Sequence, residues 1–326
     1  MEITNVLKRL CEMYLPTSHE GDKEKLVSLI KEYADNVSVS KGGSVVARVG
    51  NGEEKILIAS HYDEVNMSVS EICGENIKVI SPFGADIRTV IGAPLKILGS
   101  RKISATALKK KDAEEALTSE ELLIYTGLSE DELKNQVKIG APVLYEREFT
   151  LLSENKITAT ALDNRIGCLI SLMLIEALSK ENNPNRSYIF AFTSEEEAGC
   201  RGAKTVCHNE NISSALVFDV TFAISSGVSE RKAKPLGSGA AIGVSPVLNN
   251  EMTQNIIKLC IENEIPHTKE VMGGKTGTDA DLISSCEAGV KTALISVPVK
   301  SMHTAVELCN KLDIEAAFNA ALCFLR

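Results

Sequence analysis

The sequence predicts an α/β protein: a three-layer α/β/α catalytic domain interrupted by a small β-rich domain. Three observations predict it. Apolar runs of strand length alternate with stretches of helical periodicity in both flanks of the chain, the pattern of βαβ units around a parallel sheet. One such run, residues 188–192, ends abruptly in Glu195-Glu196-Glu197, followed by Gly199 and Arg201-Gly202-Ala203. Between about residues 68 and 158 the texture changes to short β-like runs broken by Gly, Pro and charged patches. At 326 residues the chain can bury a large core, and the expected division is 1–67 with 159–326 as one domain and 68–158 as the insertion.

Taken in order, residues 4–14 and 22–35 carry apolar positions at helical spacing, Val6-Leu10-Met13 and Leu26-Leu29-Ile30-Tyr33. Residues 44–49 and 55–60 read as strands, and Asn51-Gly52 between them suggests a hairpin. The second strand runs into His61-Tyr62-Asp63-Glu64. Within the insertion, 77–80, 95–98, 143–144 and 148–152 are β-like and 129–137 is a short helix, while Lys109-Lys110-Lys111 reads as a solvated loop. Residues 162–180 return to clear helix, with Ile166, Leu169, Ile170, Met173, Leu174 and Leu178 on the apolar face and Asp163 at its start. Strands are expected at 187–193, at 215–218 ending in Asp219, and at 291–297 running through Pro298 toward His303. Helices are expected at 251–264, 280–286 and 313–325.

Composition narrows the class. Hydrophobic residues at 44% and charged ones at 24% are ordinary for a globular protein. A net charge of −9 and a pI near 5.3 argue against nucleic acid or acidic membrane surfaces as partners. The absence of Trp and only 4% aromatics argue against base-stacking platforms. Nine cysteines, an odd number without close CxxC pairs, point to reduced core thiols. The first residues lack an apolar signal region, and no apolar stretch approaches the roughly eighteen residues of a membrane span, so the expected compartment is the cytoplasm.

The chemistry collects after the strands: His61 and Asp63, Glu195 to Glu197, Asp219 and His303, with Asp163 at a helix start. In open α/β sheets the carboxyl ends of the strands face one crevice, so these residues converge there. Imidazole and carboxylate suit zinc, and one carboxylate can bridge two ions about 3.5–4 Å apart. Three adjacent acids repel unless something positive lies between them. Each residue alone has an ordinary explanation: acids favoured at a helix N-terminus, an edge histidine, an N-cap, a turn acid. Their coincidence at five strand or helix ends outweighs those explanations.

The same residues carry a resemblance. HYDEV at 61–65, ALDNRIG at 161–167, TSEEEAGCRGA at 193–203, FDVT at 218–221, GTDA at 277–280 and SVPVKSMHTAVE at 296–307 resemble, in order, the signatures of the glutamyl/deblocking aminopeptidases. These dinuclear metallopeptidases are also called tetrahedral aminopeptidases. The resemblance spans nearly the whole chain and includes the inserted module, which in that family is PDZ-like or a β-barrel. It implies a metal-dependent aminopeptidase acting on peptides with two divalent ions per chain, zinc or cobalt. It implies that Asp163 bridges them, with His61 and Glu197 contacting the pair from one side and Asp219 and His303 from the other, and leaves open how the four divide between the ions. Glu196 would be the general base for the attacking water, and Asp63 would orient His61 from behind. Self-assembly from dimers, typically to a homo-oligomeric dodecamer, is implied too.

The chain departs from the pattern at a few places. Glu195 stands where glutamine is usual and is expected to point to solvent; Asn66 replaces a glycine and Asn164 an aspartate; Lys275-Thr276 interrupt a glycine-rich loop. Gly237 to Gly239 with Lys234 resembles the family's substrate-side loop. Two other readings stay open: a related dinuclear amidohydrolase or deacylase, and a non-catalytic scaffold stabilised by metal. Glu196 argues against the scaffold, because a structural site has no use for an unligated acid beside it.

Overall fold

The structure, a computed structural model, describes residues 2–81, 84–108, 122–181, 183–208, 210–229 and 232–326. The lysine cluster at 109–111 lies outside them. The chain opens with α1 (Ile3–Cys11), α2 (Lys23–Ile30), β1 (Asn36–Val39), β2 (Val45–Val49) and β3 (Glu54–His61). Next come β4 (Met67–Cys73), β5 (Asn76–Ile80), α3 (Ile87–Val90), β6 (Pro94–Leu98), β7 (Lys102–Leu108), β8 (Leu123–Tyr125), α4 (Glu130–Gln136) and β9 (Pro142–Tyr145). It returns through β10 (Phe149–Leu151) and β11 (Lys156–Ala159) to α5 (Leu162–Leu178), β12 (Arg186–Thr193), α6 (Arg201–Cys207) and β13 (Ser214–Phe222). The last elements are β14 (Ala240–Val244), α7 (Asn250–Glu262), β15 (His267–Val271), α8 (Ala280–Ile283), β16 (Lys291–Lys300), β17 (Glu307–Asn310) and α9 (Lys311–Leu325).

An eleven-stranded sheet runs β1-β2-β12-β3-β13-β16-β17-β11-β10, with β14 and β15 joined through β16. Its centre, β12-β3-β13-β16, is parallel. Successive side chains on a strand point to opposite faces. Ile56, Ile58, Phe190, Phe192, Leu216 and Phe218 pack in one core with α1, α2, α5, α7 and α9. Leu57, Ala59, Ile189, Val217 and Leu294 pack on the other side with α6 and α8. Both faces are covered, so the middles of the central strands carry apolar side chains on both faces, as a doubly covered parallel sheet requires. This is the predicted three-layer arrangement.

The hairpin expected at Asn51-Gly52 does not form. β12 lies between β2 and β3, with Phe190 opposite Ala47 on one side and Ile58 on the other. β12 has apolar side chains on both faces and backbone groups on both edges to satisfy, and only an interior slot meets both needs. The hairpin in this part of the chain is instead β1 with β2.

β4-β5-β8-β7-β6-β9 close an antiparallel barrel with its own core, which includes Val69, Ile77, Val79, Leu95, Ile97, Ile124 and Val143. Closure pairs every edge strand. α4 carries a capping box: Ser129 caps the helix and Glu132 returns to the Ser129 N–H at 2.9 Å. Three barrel strands, β4, β7 and β8, are not among the expected runs. The sequences of β4 and β7 mix polar and small residues with apolar ones, because only the inward side chains are buried, and β8 is a run of three residues. β10 and β11, placed in the insertion by the sequence division at 158, pair instead into the large sheet, with Ile157 opposite Cys309 of β17. Ile157 and Ala159 are anchored in the main core, a contact with no local signature.

Barrel and sheet are tied by one acid. Glu64, just after β3, accepts hydrogen bonds from Arg147 after β9 (2.7 and 2.6 Å) and from Arg165 of α5 (2.8 Å). Arg165 is fully buried and also donates to the Leu10 and Met13 carbonyls. Such a pair is retained in a core only when its hydrogen bonds are largely met. All nine cysteines are free. No helix among the described residues is long and apolar enough to cross a membrane.

Candidate metal centre

His61 closes β3 and Thr193 closes β12, directly opposite each other in parallel register. β13 continues past both, because its outer residues up to Phe222 pair with β16. Asp219 therefore lies inside β13, not at its end as expected. Val217 pairs with Ala59, so Asp219 still falls level with His61. Strand alternation puts His61, Thr193 and Asp219 on the same side of the sheet as α6 and α8.

Asp163 enters from α5. It is not an N-cap: Ala161 occupies that position, and Asp163 and Asn164 have non-helical backbone angles. The Asn164 side chain donates to the Phe218 carbonyl (2.8 Å) and accepts from the Gly167 N–H (2.9 Å). One amide thus supplies both a donor and an acceptor and fastens the start of α5 one residue before Asp219. His303 follows β16 in a left-handed conformation (φ 64°). Glu307 of β17 accepts the backbone N–H of Asp163 (2.9 Å) through one oxygen and that of His303 (2.8 Å) through the other. The sequence reading assigns Glu307 no role, although it lies in the quoted 296–307 stretch; an acid flanked by apolar residues at a strand start is the faint signal.

Asp163 sits between two histidine–carboxylate pairs. Its Oδ1 is 3.1 Å from His61 Nε2, and its Oδ2 is 3.3 Å from His303 Nε2. Asp219 Oδ1 lies 3.7 Å from His61 Nε2, and Glu197 Oε1 lies 3.4 Å from His303 Nε2. The five candidate ligands converge, and the division the resemblance leaves open is visible as distances: His61 stands beside Asp219 and His303 beside Glu197. His61, Asp163 and Glu197 each offer a donor atom within 4.8 Å of the others.

Donor chemistry tests whether a cation fits. His61 Nδ1 is 3.0 Å from the Asp63 carbonyl oxygen, which can only accept, so Nδ1 carries the proton. A neutral imidazole then turns the Nε2 lone pair toward Asp163 Oδ1, which is buried with no hydrogen-bond donor aligned on it. Two acceptor atoms face each other, and only a proton or a cation between them satisfies both. Without a cation a proton takes that place: burial acts to lower His61, but the Asp163 and Asp219 carboxylates facing Nε2 outweigh it and raise it well above the ordinary value. His303 is pushed up to about 11 by Asp163 and Glu197 against the same burial. Burial raises Asp163, yet hydrogen bonds to the two histidines hold it far below the carboxylate range.

The other acids are raised. Burial, with the charges of Asp219, Asp279 and Glu197 added, lifts Glu196 to about 9. Burial first and neighbouring acids second lift Glu307 to about 8 and Asp279 to about 7. Among the described residues no Lys or Arg pairs with Asp163, Glu196, Glu197, Asp219 or Asp279. A buried cluster of acids with no Lys or Arg against it is what a multivalent cation neutralises.

Asp63 departs from its expected role. Its carboxylate is 3.7 Å from His61 Nδ1, beyond hydrogen bonding, and its carbonyl takes that nitrogen instead. The carboxylate accepts the Thr17 hydroxyl (2.7 Å) and the backbone N–H groups of Glu196 (3.1 Å) and Glu197 (3.4 Å). It therefore fixes the glutamate segment. Glu195 does not simply face solvent: it pairs with Arg201 at 3.1 Å and lines a cavity of about 520 Å³ together with Tyr62, Asp63, Lys23 and Lys41.

Arg201-Gly202-Ala203 is the first turn of α6, not a separate turn. A Cβ on Gly202 would lie 2.1 Å from the Ser194 carbonyl oxygen, so only glycine lets α6 dock on the end of β12. The Gly237 and Gly239 N–H groups donate to Asp313 of α9 (2.8 and 2.6 Å), which accounts for that loop's shape. Asp279, unassigned by the sequence reading, is buried before α8 and accepts the Thr193 hydroxyl.

A family model described as M42 glutamyl aminopeptidase matches residues 42–319. Lysyl aminopeptidase of Pyrococcus furiosus is 27% identical over 319 residues, covering 94% of this chain and 91% of its own. The crystal structure of a TET aminopeptidase from a marine-sediment Thaumarchaeota archaeon superposes with a TM-score of 0.92 at 25% identity, covering 99% of this chain and 95% of its own. A Pyrococcus horikoshii TET1 peptidase, described as able to assemble into a tetrahedron or a large octahedral shell, shares the fold at a TM-score of 0.86 and 22% identity, covering 99% and 98%.

Proposed function

From the premise that the chain belongs to the M42 glutamyl aminopeptidase family and is a hydrolase of aminopeptidase type, we propose a two-metal mechanism with Glu196 as the base. Asp163 Oδ1 with His61 and Asp219 would hold one divalent ion, and Asp163 Oδ2 with His303 and Glu197 the other. Mixed imidazole and carboxylate donors favour zinc, with cobalt next. Bound there, the ions would make water acidic enough to serve as a nucleophile near neutral pH and would polarise the scissile carbonyl.

The protein's own groups supply the rest. Glu196 belongs to neither pair, so its carboxylate is free to take the proton of the attacking water and deliver it to the departing amine. Asp63 holds Glu196 in reach through the backbone N–H. Glu307 keeps Asp163 and His303 in place through theirs. The observation that carries this reading is the pair of facing acceptors, His61 Nε2 and Asp163 Oδ1, 3.1 Å apart in a buried cluster without Lys or Arg.

Protein loaded with zinc or cobalt should cleave aminoacyl anilides and lose that activity to a chelator. Glu196→Gln should lower kcat by about 10²–10⁴-fold, the usual range for a general base, with two metals per chain still present by elemental analysis. Undiminished turnover in that variant would refute the base. Failure of the metal-loaded protein on a broad aminoacyl panel would refute the mechanism as a whole.

A further inference from the structure

We propose that Glu196, Cys200 and Asp279 form a third cation site, separate from the two across Asp163, that takes a thiophilic divalent ion such as zinc or cadmium and inhibits the enzyme when filled. The inference rests on Glu196 being the base. One donor atom from each residue lies within 4.8 Å of the other two. Cys200 Sγ is 3.4 Å from Glu196 Oε1. Asp279 is 1% exposed; its Oδ2 accepts the Thr193 hydroxyl, and its Oδ1 is buried with no hydrogen-bond partner. That orphaned oxygen is the independent sign of a missing ligand, since a buried carboxylate oxygen left unsatisfied is costly.

The geometry suits one ion. Metal–sulfur bonds of about 2.3 Å and metal–oxygen bonds of about 2.0–2.2 Å put neighbouring donors of a tetrahedral zinc about 3.4–3.6 Å apart. Cys200 Sγ and Glu196 Oε1 already stand at 3.4 Å, and Asp279, with a donor atom within 4.8 Å of both, completes the triangle by a side-chain adjustment on the order of 1 Å. Three protein donors leave the fourth tetrahedral position for water. A thiolate donor selects zinc and cadmium over magnesium and manganese, which prefer all-oxygen sites. On binding, the Cys200 S–H proton passes to solvent and a metal–thiolate bond forms, so the step needs no oxidant.

The consequence follows from Glu196 serving two purposes. A carboxylate bound to a cation cannot accept the proton of the attacking water. Metal at two equivalents therefore activates, and a further thiophilic equivalent inhibits. The Arg201–Glu195 pair lies on the neighbouring residues and leaves the three donors uncompensated.

The test starts from enzyme holding two zinc equivalents with free metal removed, titrated with cadmium. Two signals are followed: the ultraviolet cadmium–thiolate band and turnover of an aminoacyl anilide. Wild type should bind a third equivalent with a growing thiolate band while activity falls in parallel. Cys200→Ala, scaled to its own turnover at two equivalents, should lack that increment of the band and need about 10–100-fold more cadmium for half inhibition, the range for loss of one supporting group at a metal site. An equal band and equal sensitivity in Cys200→Ala would overturn the site. A band without loss of turnover would overturn the inhibition. If two-zinc wild type is itself inactive, the mechanism fails while the band still reports on the site. Cys200→Ser, closest in shape, provides the same comparison if the alanine variant does not fold.

Discussion

Single carboxylates organise this site at the residue scale, and they do so mainly through backbone groups. Glu307 holds the N–H of two proposed ligands, and Asp63 holds the N–H of the base and of a third ligand. The Asp63 carboxylate makes no hydrogen bond to a proposed ligand side chain, its nearest being His61 Nδ1 at 3.7 Å, so removing it should loosen Glu196 without emptying the metal sites. Asp63→Ala is expected to lower kcat by about 10–100-fold, as supporting groups at metal sites do, with KM and metal content little changed. Asp63→Asn keeps one acceptor oxygen and should recover part of the loss; steady-state kinetics with elemental analysis reads both. His61, Asp163, Glu196, Glu197, Asp219 and His303 are legible in the sequence because they are polar groups breaking apolar runs. Glu307, Asp279 and Thr17 are not, because their partners are backbone and side-chain groups far along the chain.

At the element scale the decisive contacts are close approaches. α6 docks on the end of β12 only because residue 202 lacks a Cβ. Gly202→Ala must push Ser194, and with it the Glu195 to Glu197 segment, away from its position. A displacement of about 1 Å at reacting groups can cost on the order of 10²-fold in rate. A loss of that size in kcat/KM is therefore expected in a variant that circular dichroism shows to be folded; wild-type kinetics would mean the helix shifts and the glutamates do not. β12 shows the limit of local reading. Its own apolar run is plain in the sequence, while its insertion between β2 and β3 depends on pairing two distant edges. The Asn-Gly turn signal loses to that pairing.

For the whole molecule, the buried acids set the pH dependence of stability. Glu196, Glu307 and Asp279 have folded values of about 9, 8 and 7, against ordinary values of 4.5, 4.5 and 3.8. The folded chain therefore keeps protons that the unfolded chain releases, and stability falls as pH rises through that window. His303, raised from 6.5 to about 11, adds stability that is present below about 6.5 and is lost as pH climbs. Asp163, lowered, contributes above its ordinary 3.8 and is constant over the same range. Metal-free protein should thus show falling urea midpoints from about pH 6 to about pH 9. Zinc-loaded protein should separate from it increasingly, because its ligands must be deprotonated to bind. Metal-free midpoints that are flat or rising would contradict the assignment.

The sequence by itself determined the layer class, the run of the central strands, and which polar residues would meet. Apolar periodicity reports burial on both faces, and charged groups ending such runs have few ordinary places to go. It did not determine which histidine stands with which carboxylate, that β10 and β11 join the large sheet, or that the Asp63 side chain serves the glutamates while its carbonyl serves His61. Those depend on distances between residues far apart in the chain. Only the assembled sheet, with Val217 beside Ala59 and Thr193 beside His61, sets them.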